Sequence, residues 1–205
     1  MRTLPFSYNI TELPELSTHE KGDKLKIAHI GHIYGGRSSV DFVKAVAGLM
    51  QTIPDIKEKL SITYIGVVPD EEKQLIASYG IDHLFTFVDT LPPEALQKYY
   101  DETDIFLLLD VNLKESPFFP SKLMMYEYYR KPILGITTQG SVIENELKEA
   151  GYPVFYYGDP SSIQNYLVKG IALYDELFSF NQERWKQYQV ESVQNSYFEI
   201  VKLLK

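Results

Sequence analysis

Short apolar runs alternate along most of this chain with segments whose apolar residues recur every three or four positions. Leu25-Lys26-Ile27-Ala28-His29-Ile30 is the first run, closed by Gly31. Residues 40–51 follow, with Phe42, Val43, Val46, Leu49 and Met50 on one helical face and Pro54 beyond them. The same reading predicts strands over 60–65, 84–88, 104–109, 132–136 and 154–157. It predicts helices over 71–79, 93–101, 121–130 and 142–150, then two closing helices over 162–177 and about 182–204. The run at 104–109 is almost wholly apolar, as in a strand covered on both faces. Strand and helix in regular alternation predict an α/β fold: a Rossmann-like, doubly wound, parallel six-stranded sheet with helices on both faces. Residues 1–23 lack a sustained period and read as a linker or the remnant of an interdomain connection. The sheet domain then spans 24–180, with a C-terminal helical segment over 181–205.

Composition narrows the partners. The chain has 205 residues with 44% hydrophobic and 14% aromatic content, enough for one well-filled core. Its 20 basic residues stand against 28 acidic ones, a formal charge of −8, which disfavours a nucleic-acid binder. No cysteine is present, which excludes disulfides, thiolate metal sites and a cysteine nucleophile, and fits a cytoplasmic protein. The longest apolar runs fall well short of the ~20 residues of a membrane span.

In a doubly wound sheet the ligand lies at the carboxyl ends of the strands. The first such loop is Gly31-His32-Ile33-Tyr34-Gly35-Gly36-Arg37-Ser38-Ser39. Gly35 and Gly36 let a ligand approach the backbone, Ser38 or Ser39 can cap the next helix, and Arg37 adds a forked cation. A tight turn with a surface arginine is the competing reading. The spacing is neither the dinucleotide fingerprint nor a Walker loop. The loop after strand four ends in Phe119-Pro120-Ser121-Lys122. Ser121 stands at a cap position and Lys122 in the first helical turn, where a cation is unfavourable unless an anion is shared with the helix amides. Arg37 and Lys122 thus lie on two loops of one sheet edge and would bracket a diphosphate. His32 can bond a donor or phosphate, or simply be solvated. His29 and His32 straddle a strand end, a poor arrangement for a metal.

The run Lys26 to Gly31, the loop Tyr34-Gly35-Gly36-Arg37-Ser38, the turn Pro120-Ser121-Lys122-Leu123 and Lys131-Pro132-Ile133-Leu134 resemble the C-terminal, donor-binding half of GT-B-fold glycosyltransferases. The likeness is to the retaining family 4, or group 1, type, over roughly residues 24–204. It implies transfer from a nucleotide-diphosphate sugar to a glycan or other acceptor, as in polysaccharide synthesis, with no metal cofactor. Arg37 and Lys122 would be the catalytic pair on the diphosphate, the loop starting at Val88 would lie against the base, and Glu115 would contact the sugar. The acceptor would be bound by a separate N-terminal domain, against which the segment 181–205 would pack, so the chain alone would be inactive. Relatives with this turn carry a glutamate on the donor ribose where this chain has Met125. Glu127, two positions on, is the nearest replacement but lies about 200° around a helix. A non-catalytic binding module that has lost ribose recognition is therefore the alternative.

Overall fold

The computed structural model describes residues 13–16 and 22–203 together with Ser7. Most of the predicted linker lies outside the described residues. Of what is described, Leu13 packs on the core and the Pro14 carbonyl accepts a bond from the Tyr128 hydroxyl at 2.5 Å.

The sheet consists of β1 (Leu25–Ile30), β2 (Leu60–Ile65), β3 (Phe85–Val88), β4 (Ile105–Leu109), β5 (Ile133–Thr137) and β6 (Val154–Tyr156). All neighbours pair in parallel in the order β3-β2-β1-β4-β5-β6. This is the predicted doubly wound sheet, and the order reverses between β1 and β4, where such folds open a crevice. The helices are α1 (Val40–Thr52), α2 (Ile56–Lys59), α3 (Asp70–Ser78), α4 (Pro93–Glu102), α5 (Lys122–Tyr128), α6 (Val142–Ala150), α7 (Pro160–Ala172) and α8 (Val190–Leu203).

Two cores form because β1 and β4 are apolar on both faces. Leu25 and Ile27 pack with Leu107 and Leu109 beneath α1 and α7. Ala28 and Ile30 pack with Phe106 and Leu108 beneath α4, α5 and α6. The second core is aromatic: Phe106 stacks on Tyr126 at 4.3 Å, and Tyr100 on Tyr129 at 4.8 Å.

The closing helices are more broken than their periodicity predicts. The segment over 162–177 starts earlier, at Pro160, because Asp159 accepts from the Ser162 amide and Pro160 fits the first turn. It ends at Ala172, after which Tyr174–Leu177 is a 3₁₀ turn. The segment over 182–204 splits at Gln189, whose ψ of 145° is extended. Ahead of that break, Arg184–Tyr188 forms a 3₁₀ turn that buries Trp185 and Tyr188 against this same domain.

Lys131 explains one junction of the fold. Its buried ammonium donates to the carbonyls of Tyr100, Asp101 and Thr103 at 2.8, 2.5 and 2.7 Å. These belong to the C-terminal turn of α4, where carbonyls lack helical partners and the dipole favours a cation. The preceding Arg130 has a φ of 53°, a position glycine usually fills. Its guanidinium lies 5.6 Å from the Trp185 ring centroid and 3.6 Å from Glu183, which offsets the strain. Replacing Lys131 by methionine keeps the aliphatic stem but strands these acceptors. The expected loss is about 3 kcal/mol, the worth of one or two charge-assisted hydrogen bonds, read as a lower urea midpoint. An unchanged midpoint would contradict the capping role.

Candidate functional site

The site is assembled where β1, β2 and β4 end. The ladder continues past β1: Gly31 donates to Ile65 O at 2.7 Å and Ile33 to Val67 O at 3.0 Å, while the Val67 amide donates to His32 Nδ1 at 2.8 Å. These bonds pin the first loop against β2. Gly31 has a φ of 131°, which calls for glycine, and a Cβ there would stand 2.6 Å from Lys122 Nζ and push the ammonium aside. Gly35 and Gly36, at φ 62° and 83°, then turn the chain, and Arg37 follows. Its guanidinium lies 4.8 Å from the Tyr34 ring centroid and donates to Tyr34 O at 3.2 Å.

The start of α1 is already occupied. Ser39 stands at the N-cap, yet its hydroxyl donates to Glu72 at 2.7 Å and its amide to the same carboxylate at 3.2 Å. Ser38 Oγ accepts from the Val40 amide at 3.2 Å instead. The expected serine cap is therefore only a local turn bond from Ser38, and a buried carboxylate from α3 faces the end of α1 where a phosphate was anticipated.

The opposite wall is α5. Lys122 opens it after Ser121, whose own backbone is helical and makes no side-chain cap. The Lys122 ammonium lies over Gly31 and 3.2 Å from His29 Nε2. Among the described residues no carboxylate pairs with it. Burial, and then the nearby Arg37 charge, lower it from 10.5 to about 7. Beside it a cavity of about 430 Å³ is lined by Gly31, His32, Thr90, Leu91, Ser121, Lys122 and Met125, among others. Through Leu96, Tyr100 and Met125 it shares lining with a second hollow of about 470 Å³ that reaches Leu13 and Pro14.

On the other flank a cavity of about 560 Å³ is lined by Asn112, Lys114, Glu115, Thr138, Gln139 and Gly140, with Thr137, Tyr156 and Tyr157. Its floor is a fixed polar chain. Buried Asp110 accepts from Ser116 Oγ at 3.0 Å and Thr137 Oγ1 at 2.7 Å, and Thr137 meets Ser141 Oγ at 2.6 Å. Ser141 caps α6 by accepting from the Glu144 amide at 2.9 Å. Bonds from Lys148 and Tyr156 draw the Glu144 carboxyl down to about 2.

The structure brings together Lys122, Ser121 and His32 at the first cavity, with Arg37 close by in charge, and Glu115 at the second. Gly35 and Gly36 shape the turn without lining either cavity. Val88 spends its carbonyl on the Gly66 amide at 2.9 Å, and the cavity is lined instead by Thr90 and Leu91, two and three residues on. Glu127 must be corrected. It is buried on the far side of α5, 3.6 Å from Arg184 Nε, where burial pushes it up to about 8. The helical angle that separates it from Met125 decides this: Met125 faces the cavity and Glu127 faces Arg184. The sequence does not mark His29 as a lysine partner or the Asp110 network as functional; their one signal is a buried polar residue at the end of a strand whose other buried residues are apolar.

No protein-family model and no curated protein sequence matches the chain. Solved structures do. A sucrose-phosphate synthase from Thermosynechococcus elongatus superposes with a TM-score of 0.69 at 15% identity, over 99% of this chain and 52% of its own. The C-terminal domain of a group 1 glycosyltransferase, LpcC, from Francisella tularensis gives 0.61 at 14% identity, over 81% of this chain and 87% of its own. This chain has the fold of the C-terminal half of a GT-B glycosyltransferase. Anabaena HepE, a structure solved in complex with UDP, gives 0.66 at 15% identity, over 88% of this chain and 49% of its own. The chain therefore spans about half the length of the sucrose-phosphate synthase and of HepE. Lys122 overlooks the crevice where the strand order reverses between β1 and β4.

The electrostatic description is testable without a ligand. Lys122 should titrate near 7 in the free protein, far below a solvated lysine at roughly 10.4. Arg37→Gln should raise that midpoint, though not to the solvated value, because burial is the larger cause. Side-chain NMR of the lysine Cε resonances reads it directly, and a midpoint near 10 for Lys122 would refute the buried, unpaired ammonium.

Proposed function

We propose that this chain is the donor-binding half of a retaining, hexosyltransferase-type enzyme acting in the cytoplasm, in polysaccharide or glycoconjugate synthesis. A nucleoside diphosphate sugar occupies the carboxyl edge, with its base toward Thr90 and Leu91 and its diphosphate at Lys122 and Arg37. Its sugar lies toward Glu115 and the larger polar cavity. The acceptor, a glycan or other hydroxyl compound, comes from a second Rossmann-like domain across that edge, and the half described here is inactive alone. One observation carries the reading: two cations close enough to feel each other's charge, neither with a carboxylate partner among the described residues, lie at the carboxyl edge of a GT-B half, and one of them is buried and lines a cavity.

The chemistry follows from charge. When the bond from the anomeric carbon to the phosphate oxygen breaks, positive charge grows on the sugar and negative charge on the diphosphate. Cations fixed before the reaction stabilise that separation more than the intact donor. Lys122 and Arg37 meet this need, and the proposal includes no divalent cofactor.

Met125 favours a second reading. A thioether rather than a carboxylate faces the cavity, so a nucleoside placed there finds no acidic acceptor for its ribose hydroxyls. A module that binds nucleotides without transferring sugar would fit this substitution.

Calorimetric titration with UDP, GDP and their sugars tests the site in either form. Lys122→Ala and Arg37→Ala should each weaken binding by about tenfold or more, since a charge-assisted hydrogen bond contributes roughly 1.5–3 kcal/mol. Equal affinity in wild type and both variants would overturn the assignment. Sugar transfer by the chain alone would overturn its inactivity without a second domain.

A further inference from the structure

We propose that His29 is the positioning residue of this site: its neutral ring fixes the Lys122 ammonium over Gly31 without cancelling its charge. The inference rests on the donor-site reading for its consequence, but the coupling itself stands on geometry.

His29 is wholly buried near the end of β1, whose other buried residues are all apolar. A polar ring is costly there unless both nitrogens are satisfied. Nδ1 lies 2.9 Å from the Leu107 carbonyl of β4, and a carbonyl only accepts, so Nδ1 carries a hydrogen. Nε2 lies 3.2 Å from Lys122 Nζ, and an ammonium only donates, so Nε2 offers its lone pair. The two contacts select one neutral tautomer. The ring is held from a third side by Tyr64 of β2, edge-on at 5.8 Å. The remaining polar groups around it are the His32 backbone and the Arg37 and Lys122 charges, and neither charge favours an imidazolium. Burial and these cations hold His29 well below its ordinary titration range.

A carboxylate in this place would also hold the lysine, but it would neutralise the charge and repel a diphosphate. An imidazole lone pair supplies direction alone. It sets the ammonium against Gly31 on one side and leaves it facing the cavity on the other. His29 does not line the cavity, so it acts through Lys122.

Two substitutions separate this role from simple packing. His29→Asn keeps a donor near the Nδ1 position for Leu107 but cannot reach Lys122. His29→Gln reaches the Nε2 position and can accept from Lys122 while giving up Leu107. The positioning role predicts that Asn weakens binding of UDP or GDP, whichever wild type prefers, by about tenfold and Gln by much less. A merely structural histidine predicts the reverse order. In a Lys122→Ala background the Asn substitution should cost nothing further, because the two residues act as one unit. An equal loss in both backgrounds would overturn the proposal. If wild type binds neither nucleotide, the donor reading fails by itself, and the Lys122 NMR midpoint in ligand-free protein then decides. A midpoint lowered by His29→Asn and near wild type in His29→Gln supports the coupling, and one unmoved by either variant ends it.

Discussion

An ammonium buried with no counter-charge among the described residues is the constraint on which this site depends. The same chain shows two ways of burying a lysine. Lys131 donates to three carbonyls at the end of α4, so its charge is absorbed by the scaffold. Lys122 has an imidazole nitrogen on one side, a glycine on another and a cavity on the third. Burial without compensation lowers its proton affinity, and an anion that entered the cavity would restore it. The glycine at 31, the polar residue at 29 and the open hollow beside Met125 all follow from keeping that charge in place and unpaired.

The surrounding scaffold leaves α5, rather than α1, as the helix start without a carboxylate against it among the described residues. Glu72 already takes the amide and hydroxyl of Ser39, so the start of α1 is charged against a phosphate. The loops on the other flank are held by Asp110, Thr137 and Ser141 in series, with Tyr157 donating to Asp110 O at 2.5 Å. Tyr126 joins the two halves: its hydroxyl accepts from the Ile30 amide at 3.0 Å while its ring stacks on Phe106. Through it α5, and hence Lys122, is registered against the end of β1. The geometry at the ligand edge is thus set by bonds within a packed sheet, not by loop flexibility.

Much of this was legible from residue order. β1 and β2 fall where their apolar-rich runs begin and end, each closed by a glycine, and β4, covered on both faces, leaves an uninterrupted apolar signature. The convergence of the loops bearing Arg37 and Lys122 followed from topology alone. What periodicity could not show were breaks caused by a single residue's dihedral angles, at Leu173 and Gln189, since both flanking pieces keep helical spacing. Ser39 looked like a cap because its partner, Glu72, lies 33 residues away. His29 stood out only as a poor metal ligand beside His32 because its partner, Lys122, lies 93 residues on. Long-range polar pairing is the information that a local pattern omits.

The most direct test of the central claim is the number of protons taken up when UDP or GDP binds. It is obtained by calorimetry at about pH 8 in buffers of different ionisation enthalpy. With Lys122 near 7 in the free protein and an anion raising it, most of one proton should enter per nucleotide bound, and Lys122→Ala should abolish that uptake. Binding with no proton uptake in the wild-type protein would contradict the account.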